Sequence, residues 1–331
     1  MKLAMIGSYG HAGVVLDGAA ELDDVELVAA ARWGEDDPLS YVGRHPAAPA
    51  SLKVYDDYRR MLTEAKPDLV GVFMPLYRNA EAALAAVEQG CHVISEKPLA
   101  TKLEDFDRLK RAVEQAGVTI GALMTMRGES AFQAVRDAVA QGKIGHPVLA
   151  SGQKSYPFAN RDDYYKRRKT YGGSILWQAI HALDFIHYTT GRDYTKVAAM
   201  NSNACHPTHP GMEDNGGLLL ELSGGGHAVV WFDYLRPWSE DVKRRWGDDR
   251  LRIAGTDGIL EVVDEGTRAV LMTPTATEEL PLPKPKNVFV EFVNSLTGRA
   301  EGLITPAESF RITEVALKAR DAADKGEVVE L

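Results

Sequence analysis

The sequence predicts an α/β fold in two parts: a parallel sheet with crossover helices over residues 1–125, and an α+β part with an open, predominantly antiparallel mixed sheet over residues 126–331. A length of 331 residues suits about two domains, each able to bury a core. Up to Met126, short unalternating apolar runs take turns with helical patterns, the texture of strands covered on both faces. Beyond it the runs lengthen and alternate, the texture of strands with one wet face.

The parallel strands are predicted at 3–6, 25–30, 69–74, 92–95 and 118–124. Between them, Asn79 reads as the cap of a helix that ends before Gly90, and Thr101 with Glu104 as a capping box ahead of Leu103, Phe106, Leu109 and Val113. Gly117 then stops that helix. The second part opens with a helix at 130–141 and continues with strands at 148–155, 197–201, 218–222, 227–233, 251–254 and 259–263. A helix at 174–190 is embedded in it, and one at 306–325 follows the proline-rich strip 281–285.

Hydrophobic residues make up 45% and charged residues 26%, ordinary values for a globular chain, and no window approaches the ~20 apolar residues of a membrane span. A net charge of -9 repels phosphate backbones, which argues against a nucleic-acid partner. Two distant cysteines, Cys91 and Cys205, and glycines that interrupt the N-terminal apolar stretch point to a reducing cytoplasm.

The first strand delivers the chain into Gly7-Ser8-Tyr9-Gly10-His11-Ala12-Gly13 and then into a helix. Glycines there permit close backbone approach, and the helix N-terminus offers N–H groups to a pyrophosphate, which makes this part a dinucleotide-binding Rossmann fold. Gly10 and Gly13 fit the last two glycines of G-x-G-x-x-G, whereas Gly7 stands one residue early, as it would in a plain strand-to-helix turn. The second strand ends at Ala31-Arg32-Trp33 with no carboxylate before Glu35, so Arg32 predicts NADP in preference to NAD, and Trp33 a cover for the adenine. A solvated surface arginine is the alternative for Arg32.

The run Cys91-His92-Val93-Ile94-Ser95 stops at Glu96-Lys97-Pro98-Leu99-Ala100, which puts a lysine just past the carboxyl end of a parallel strand, where open α/β sheets bind ligands. With this tripeptide the chain resembles the glucose-fructose oxidoreductase / inositol dehydrogenase / MocA family of NAD(P)-dependent oxidoreductases, whose pattern A-L-x-x-G-x-H-V-x-x-E-K-P-x-A is met over 86–100 except at Val87. The resemblance extends through Tyr55-Asp56-Asp57-Tyr58, Lys66-Pro67-Asp68, Gly172-Gly173, the H-x-x-D of His181 and Asp184, and Gly255-Thr256-Asp257-Gly258. The chain departs from the family twice. The T-P-N-x-x-H segment reads Met74-Pro75-Leu76-Tyr77-Arg78-Asn79, with Asn79 in place of histidine, and the D-x-G-x-H segment reads Trp177-Gln178-Ala179-Ile180-His181, with Trp177 in place of aspartate.

The resemblance implies hydride transfer between a nicotinamide cofactor and a sugar, inositol or related polyol, with His181 as base and Lys97 stabilising the alkoxide. It adds Met74, Pro75, Asn79, Glu96 and Lys97 to the cofactor site already drawn from Gly7 to Ala12, Arg32 and Trp33, and implies a homodimer or homotetramer. Trp177 would share a helical face with His181 and stack on a sugar or on the nicotinamide. Arg127 and Tyr156 are further substrate candidates, with a salt bridge the alternative for Arg127 and a satisfied core histidine that for His181. The basic, aromatic run 161–169 is either a solvated loop or part of a substrate cleft that would take a polyol, a sugar acid or the cofactor's phosphates. No metal is expected, because His187 lies off the face of His181 and the Cys205, His206, His209, Glu213 group has no ordered ligand spacing. A dinucleotide-binding sensor without turnover is the competing function, motivated by Trp177 and Asn79.

Overall fold

The first unit of the fold, residues Met1–Thr125 with Asn287–Thr313, is built on a strictly parallel sheet. In the computed structural model, which describes all residues except Asp36, Pro38, Glu240, Val242, Lys243 and the side chains of Ser40 and Tyr41, the chain begins β1 (Lys2–Gly7), α1 (Ala12–Glu21), β2 (Glu26–Ala31), α2 (Ser40–Arg44), β3 (Lys53–Tyr55) and α3 (Tyr58–Ala65). It continues β4 (Leu69–Phe73), α4 (Leu76–Glu88), β5 (His92–Ser95), α5 (Leu103–Ala116) and β6 (Ile120–Ala122). The strand order β3-β2-β1-β4-β5-β6 reverses between β1 and β4, the switch point at which such sheets take ligands. All five residues of β4 are buried, as the unalternating apolar run requires of a strand covered on both faces.

The second unit, Met126–Lys286 with Glu314–Leu331, contains α6 (Ser130–Ala140), β7 (Pro147–Ser155), α7 (Arg168–Tyr171) and α8 (Ile180–Thr190). Then follow β8 (Tyr194–Ser202), β9 (Asn215–Leu222), β10 (His227–Asp233), β11 (Asp248–Gly255), β12 (Ile259–Val263), β13 (Arg268–Met272) and β14 (Thr277–Glu279). After α9 (Val288–Leu296), which belongs to the first unit, α10 (Pro306–Lys325) starts in that unit and continues into the second, where β15 (Val329–Glu330) joins β8. The nine-stranded order among the described residues is β14-β13-β12-β11-β7-β10-β9-β8-β15, antiparallel except for β7 against β10. Period-two alternation buries Ala150, Leu218, Leu220, Val230, Phe232, Leu251 and Ile253 on the face covered by α8, and leaves Leu219 and Trp231 exposed on the other.

Two predicted helix starts are corrected. α4 begins three residues before Asn79, with Pro75 at its cap position, so Asn79 lies inside the helix and is wholly buried. Lys102, not Thr101, precedes α5 and no side chain caps it, so the capping box is one residue out of phase. The 118–124 run yields only β6, because a 3-10 turn at Thr125–Gly128 follows closely. β3, β13, β14, β15 and α9 were not predicted from the sequence; α9 is capped by Asn287, whose side chain accepts from the N–H groups of Phe289 and Val290. No helix among the described residues is long and apolar enough to cross a membrane.

Candidate functional site

In the first unit the glycine loop is fixed by close backbone approach. Gly7 has φ +74°, and a Cβ there would lie 2.2 Å from the Phe73 carbonyl oxygen, to which Tyr9 N–H also donates at 2.9 Å. Gly10 has φ +59°, and its Cβ would lie 2.5 Å from Oε2 of Glu96. Glu96, fully buried, thus braces the loop from below: it accepts from His11 N–H at 2.9 Å and approaches His11 Nδ1 at 3.0 Å. Burial by itself pushes the Glu96 carboxyl up, but the charge and hydrogen bonds of His11, aided by Lys97, outweigh it and hold the group below the usual carboxylate range. Lys97, 1% exposed at the end of β5, has Nζ 3.6 Å from Glu96 Oε1.

Above the loop, Ser8, Gly10, His11, Gly13, Val14 and Asp17 line a concavity of about 400 Å³ at the start of α1. Its rim is drawn together by Asp37, a buried carboxylate accepting from Ser8 Oγ (3.1 Å), Trp33 N–H (3.1 Å) and Leu39 N–H (3.0 Å). Arg32 donates to the Asp37 carbonyl oxygen and pairs with the exposed Asp56 at 3.3 Å. The Trp33 and Tyr9 rings meet edge-on at 5.8 Å, and Arg78 holds the Trp33 carbonyl at 2.8 Å. Beside Gly7, Met74 N–H donates to Asn79 Oδ1 at 3.0 Å, while Asn79 Nδ2 is buried with no hydrogen-bond partner. A loop that admits no Cβ, a helix N-terminus in a concavity and an orphaned buried amide donor fit a dinucleotide.

These contacts link Gly7, Ser8, Tyr9, Gly10, His11, Trp33, Asn79, Glu96 and Lys97 around the carboxyl ends of β1, β4 and β5, with Ala12, Arg32, Met74 and Pro75 adjoining them. Asp37 was missed in the sequence, where nothing in a loop residue six positions beyond β2 announces that it collects two backbone amides and a hydroxyl.

In the second unit the embedded helix starts irregularly. Residues Ile175–Ala179 form a π-helical turn in which Ile180 N–H reaches back to the Ile175 carbonyl, and α8 follows with His181, 1% exposed, in its first turn. Trp177 lies within the π turn, so the one-turn spacing expected between Trp177 and His181 in an α-helix does not apply; the Trp177 ring instead meets Tyr165 edge-on at 6.1 Å. Gln178, fully buried, ties the ends of β7 and β10 by donating to the carbonyls of Lys154 (3.0 Å) and Asp233 (2.5 Å). Lys154 Nζ lies 2.8 Å from Asp249 and 5.0 Å from the centre of the Tyr156 ring. Burial pushes its ammonium pKa down, but the Asp249 carboxylate outweighs this and raises it. A lysine in phase with the buried positions Ala150 and Gly152 is a signal the sequence held and the strand prediction did not use.

Arg127 is engaged elsewhere. Its fork grips Asp184 at 2.7–3.1 Å with both residues 1% exposed, which is the salt-bridge alternative rather than a presented substrate contact. Among the described residues no three His, Cys, Asp or Glu side chains group as a metal site. His187 Nδ1 lies 2.8 Å from the Arg192 carbonyl, His206 pairs with Asp214 at 3.0 Å, and Glu213 pairs with Arg168.

Residues 1–123 match the model of the oxidoreductase family, NAD-binding Rossmann fold, and residues 132–261 match the GFO/IDH/MocA C-terminal domain. A protein of solved structure from Thermotoga maritima is 32% identical, with all of both chains covered and a TM-score of 0.92. The 1,5-anhydro-D-fructose reductase of Ensifer adhaerens is 26% identical over 279 residues, 80% of each chain. The myo-inositol 2-dehydrogenase of Thermotoga maritima is 28% identical over 211 residues, 62% of this chain and 59% of its own.

Proposed function

Because the chain belongs to the GFO/IDH/MocA oxidoreductases, with their NAD-binding Rossmann fold, we propose that it interconverts a secondary alcohol and a ketone on a sugar, inositol or related polyol, with NADP preferred and NAD accepted. The observation that carries this reading is Lys97: a buried cation at the end of β5, beside the carboxylate that braces the glycine loop. Similarity to proteins named as an anhydrofructose reductase and an inositol dehydrogenase supports the substrate class. A bound nicotinamide supplies the acceptor for the hydride. The role assigned to His181 is to take the hydroxyl proton as that hydride leaves carbon, and the role assigned to the Lys97 ammonium is to stabilise developing alkoxide charge. Tyr156 and Trp177 offer aromatic surface to the substrate, and Arg127, committed to Asp184, is given no substrate role.

The preference for NADP follows from Arg32 at the ribose end of β2, since the carboxylate of Asp37 is already engaged by a hydroxyl and two amides and, among the described residues, Arg32 itself pairs only with the exposed Asp56. The exposed face of the nine-stranded sheet, with Leu219 53% and Trp231 42% exposed, would join subunits into a homodimer or homotetramer, checked by light scattering. A reducing cytoplasm suits the free thiols of Cys91 and Cys205.

The test assays a panel of sugars and polyols for cofactor reduction with NADP and NAD, using wild type, Lys97→Ala, His181→Ala and Arg32→Ala. Lys97→Ala and His181→Ala should lose turnover while still binding cofactor, and Arg32→Ala should weaken NADP by ~1–3 kcal/mol with NAD little changed. Tighter NAD than NADP binding in the wild type refutes the cofactor preference. A wild type that binds cofactor and turns over nothing favours the sensor reading, to which Trp177 lends its weight.

A further inference from the structure

The run 161–169 is the densest positive charge in the sequence, yet most of it is neutralised or solvated. Lys166 pairs with Asp163 at 2.6 Å, Arg168 with Glu213 and with Asp324, and Arg167 and Lys169 are exposed. Arg161 is the exception. Its guanidinium lies 4.8 Å from the centre of the Tyr234 ring and 5.5 Å from that of Tyr165. It donates to the Pro157 carbonyl at 3.0 Å, and its Nε is buried with no hydrogen-bond partner. Among the described residues no carboxylate lies within ion-pair distance of it, whereas the fully buried Arg127 and Lys154 of this unit face Asp184 and Asp249, and the half-buried Arg236 faces Asp248 and Glu265. The surrounding phenols do not serve as counter-ions at neutral pH, because burial pushes Tyr165 up to about 12 and raises Tyr171 and Tyr234 as well.

Tyr165, Tyr171 and Tyr234 are buried and back the guanidinium, so the rings that can offer a face to a sugar are the half-buried Tyr156 and Trp177. Tyr171 and Tyr234 hydroxyls meet at 2.9 Å, Tyr156 stands 6.4 Å from Tyr234, and Tyr165 touches Trp177 of the π turn that leads to His181. Aromatic faces suit the apolar face of a sugar ring, and a guanidinium fork matches the two oxygens of a carboxylate. A partly desolvated guanidinium without an anion is unfavourable, and a ligand carboxylate removes that penalty.

We propose that Arg161, set among Tyr156, Tyr165, Tyr171 and Tyr234, binds the carboxylate of the substrate, so that the enzyme prefers a polyhydroxy carboxylate, such as a uronate or aldonate, over the neutral sugar. This rests on the alcohol–ketone reading above and narrows its substrate class. Of the described cations set over these rings, Lys154 is paired with Asp249, and the one remaining positive charge, on Arg161, suits a singly charged carboxylate better than a phosphate monoester.

The test measures equilibrium binding by quenching of tryptophan emission, and separately kcat and KM, for D-glucuronate, D-glucose and D-glucose 6-phosphate. Wild type should bind glucuronate roughly 10- to 100-fold more tightly than glucose, and Arg161→Gln should remove that difference while leaving glucose binding unchanged. Arg161→Lys, which keeps the charge and loses the fork, should fall between them and guards against a Gln variant that folds poorly. A merely structural arginine would weaken glucose and glucuronate alike. Equal binding of glucuronate and glucose by the wild type, binding of neither, or tighter binding of glucose 6-phosphate overturns the proposal. The two readings fail separately: Arg161-dependent glucuronate binding without turnover defeats the catalytic reading alone, and turnover of glucose and glucuronate at equal kcat/KM defeats this one alone.

Discussion

The glycine loop of the first unit and the tyrosine cluster of the second handle charge in opposite ways. Around the loop, Glu96 faces His11 and Lys97, and Asp37 is surrounded by donors, so the backbone there is pinned by satisfied charges. In the tyrosine cluster Arg161 keeps a charge that no carboxylate among the described residues answers, although its sequence neighbours Lys166 and Arg168 are answered. Charge density along a chain therefore says little about which charge is available to a ligand; that depends on which carboxylates the fold brings near.

The comparison is tested most severely where a satisfied charge is orphaned. Asp184→Leu leaves Arg127 buried and uncompensated and should cost about 3–5 kcal/mol in urea unfolding, whereas Arg161→Gln, which breaks no ion pair, should cost less than about 1 kcal/mol. Comparable losses would remove the distinction between the two arginines. Next in size is Gly7→Ala, which sets a methyl against the Phe73 carbonyl in left-handed backbone and should lose about 2–4 kcal/mol together with cofactor binding. The control is Gly117→Ala at φ +65°, where a Cβ meets nothing within 4 Å and the conformational strain alone, about 1–2 kcal/mol, remains.

The last effect concerns alkaline pH. Tyr165, moved from 10.0 to about 12, keeps its proton in the folded protein longer than in the unfolded chain. Its contribution, about 3 kcal/mol, is complete below pH 10 and lost as pH rises to about 12. Unfolding free energies measured from pH 9 upward should fall over that window, and Tyr165→Phe should flatten the fall. An unchanged slope would mean that burial of this phenol does not set its titration.

Much of the scaffold was legible because hydrophobic period announces it: β5, an unalternating apolar run, β10 and β12, which alternate, and the helix α10 have the predicted limits. β3 and β15 were not legible, since strands of three and two residues carry no periodicity. α9 was passed over although Asn287 before an apolar stretch is a readable cap. The glycine loop could be read because its requirement is for backbone space, a property of residue type. The grip of Glu96 on His11 could not, since the two are 85 residues apart. The pairing inferred for Trp177 and His181 assumed an α-helical turn, and a π turn has no distinctive composition.

Residues Asn287–Thr313 return to the first unit after the chain has built most of the second. Val288, Phe289, Phe292, Val293 and Ile304 are buried there, and Asn287 Nδ2 donates to the Val14 carbonyl in α1. In genetic terms, the dinucleotide-binding half is therefore not a cassette that can be cut from the reading frame after residue 125. A fragment ending there would display an uncovered apolar flank and aggregate, whereas one carrying 287–313 on a short linker would restore the missing layer.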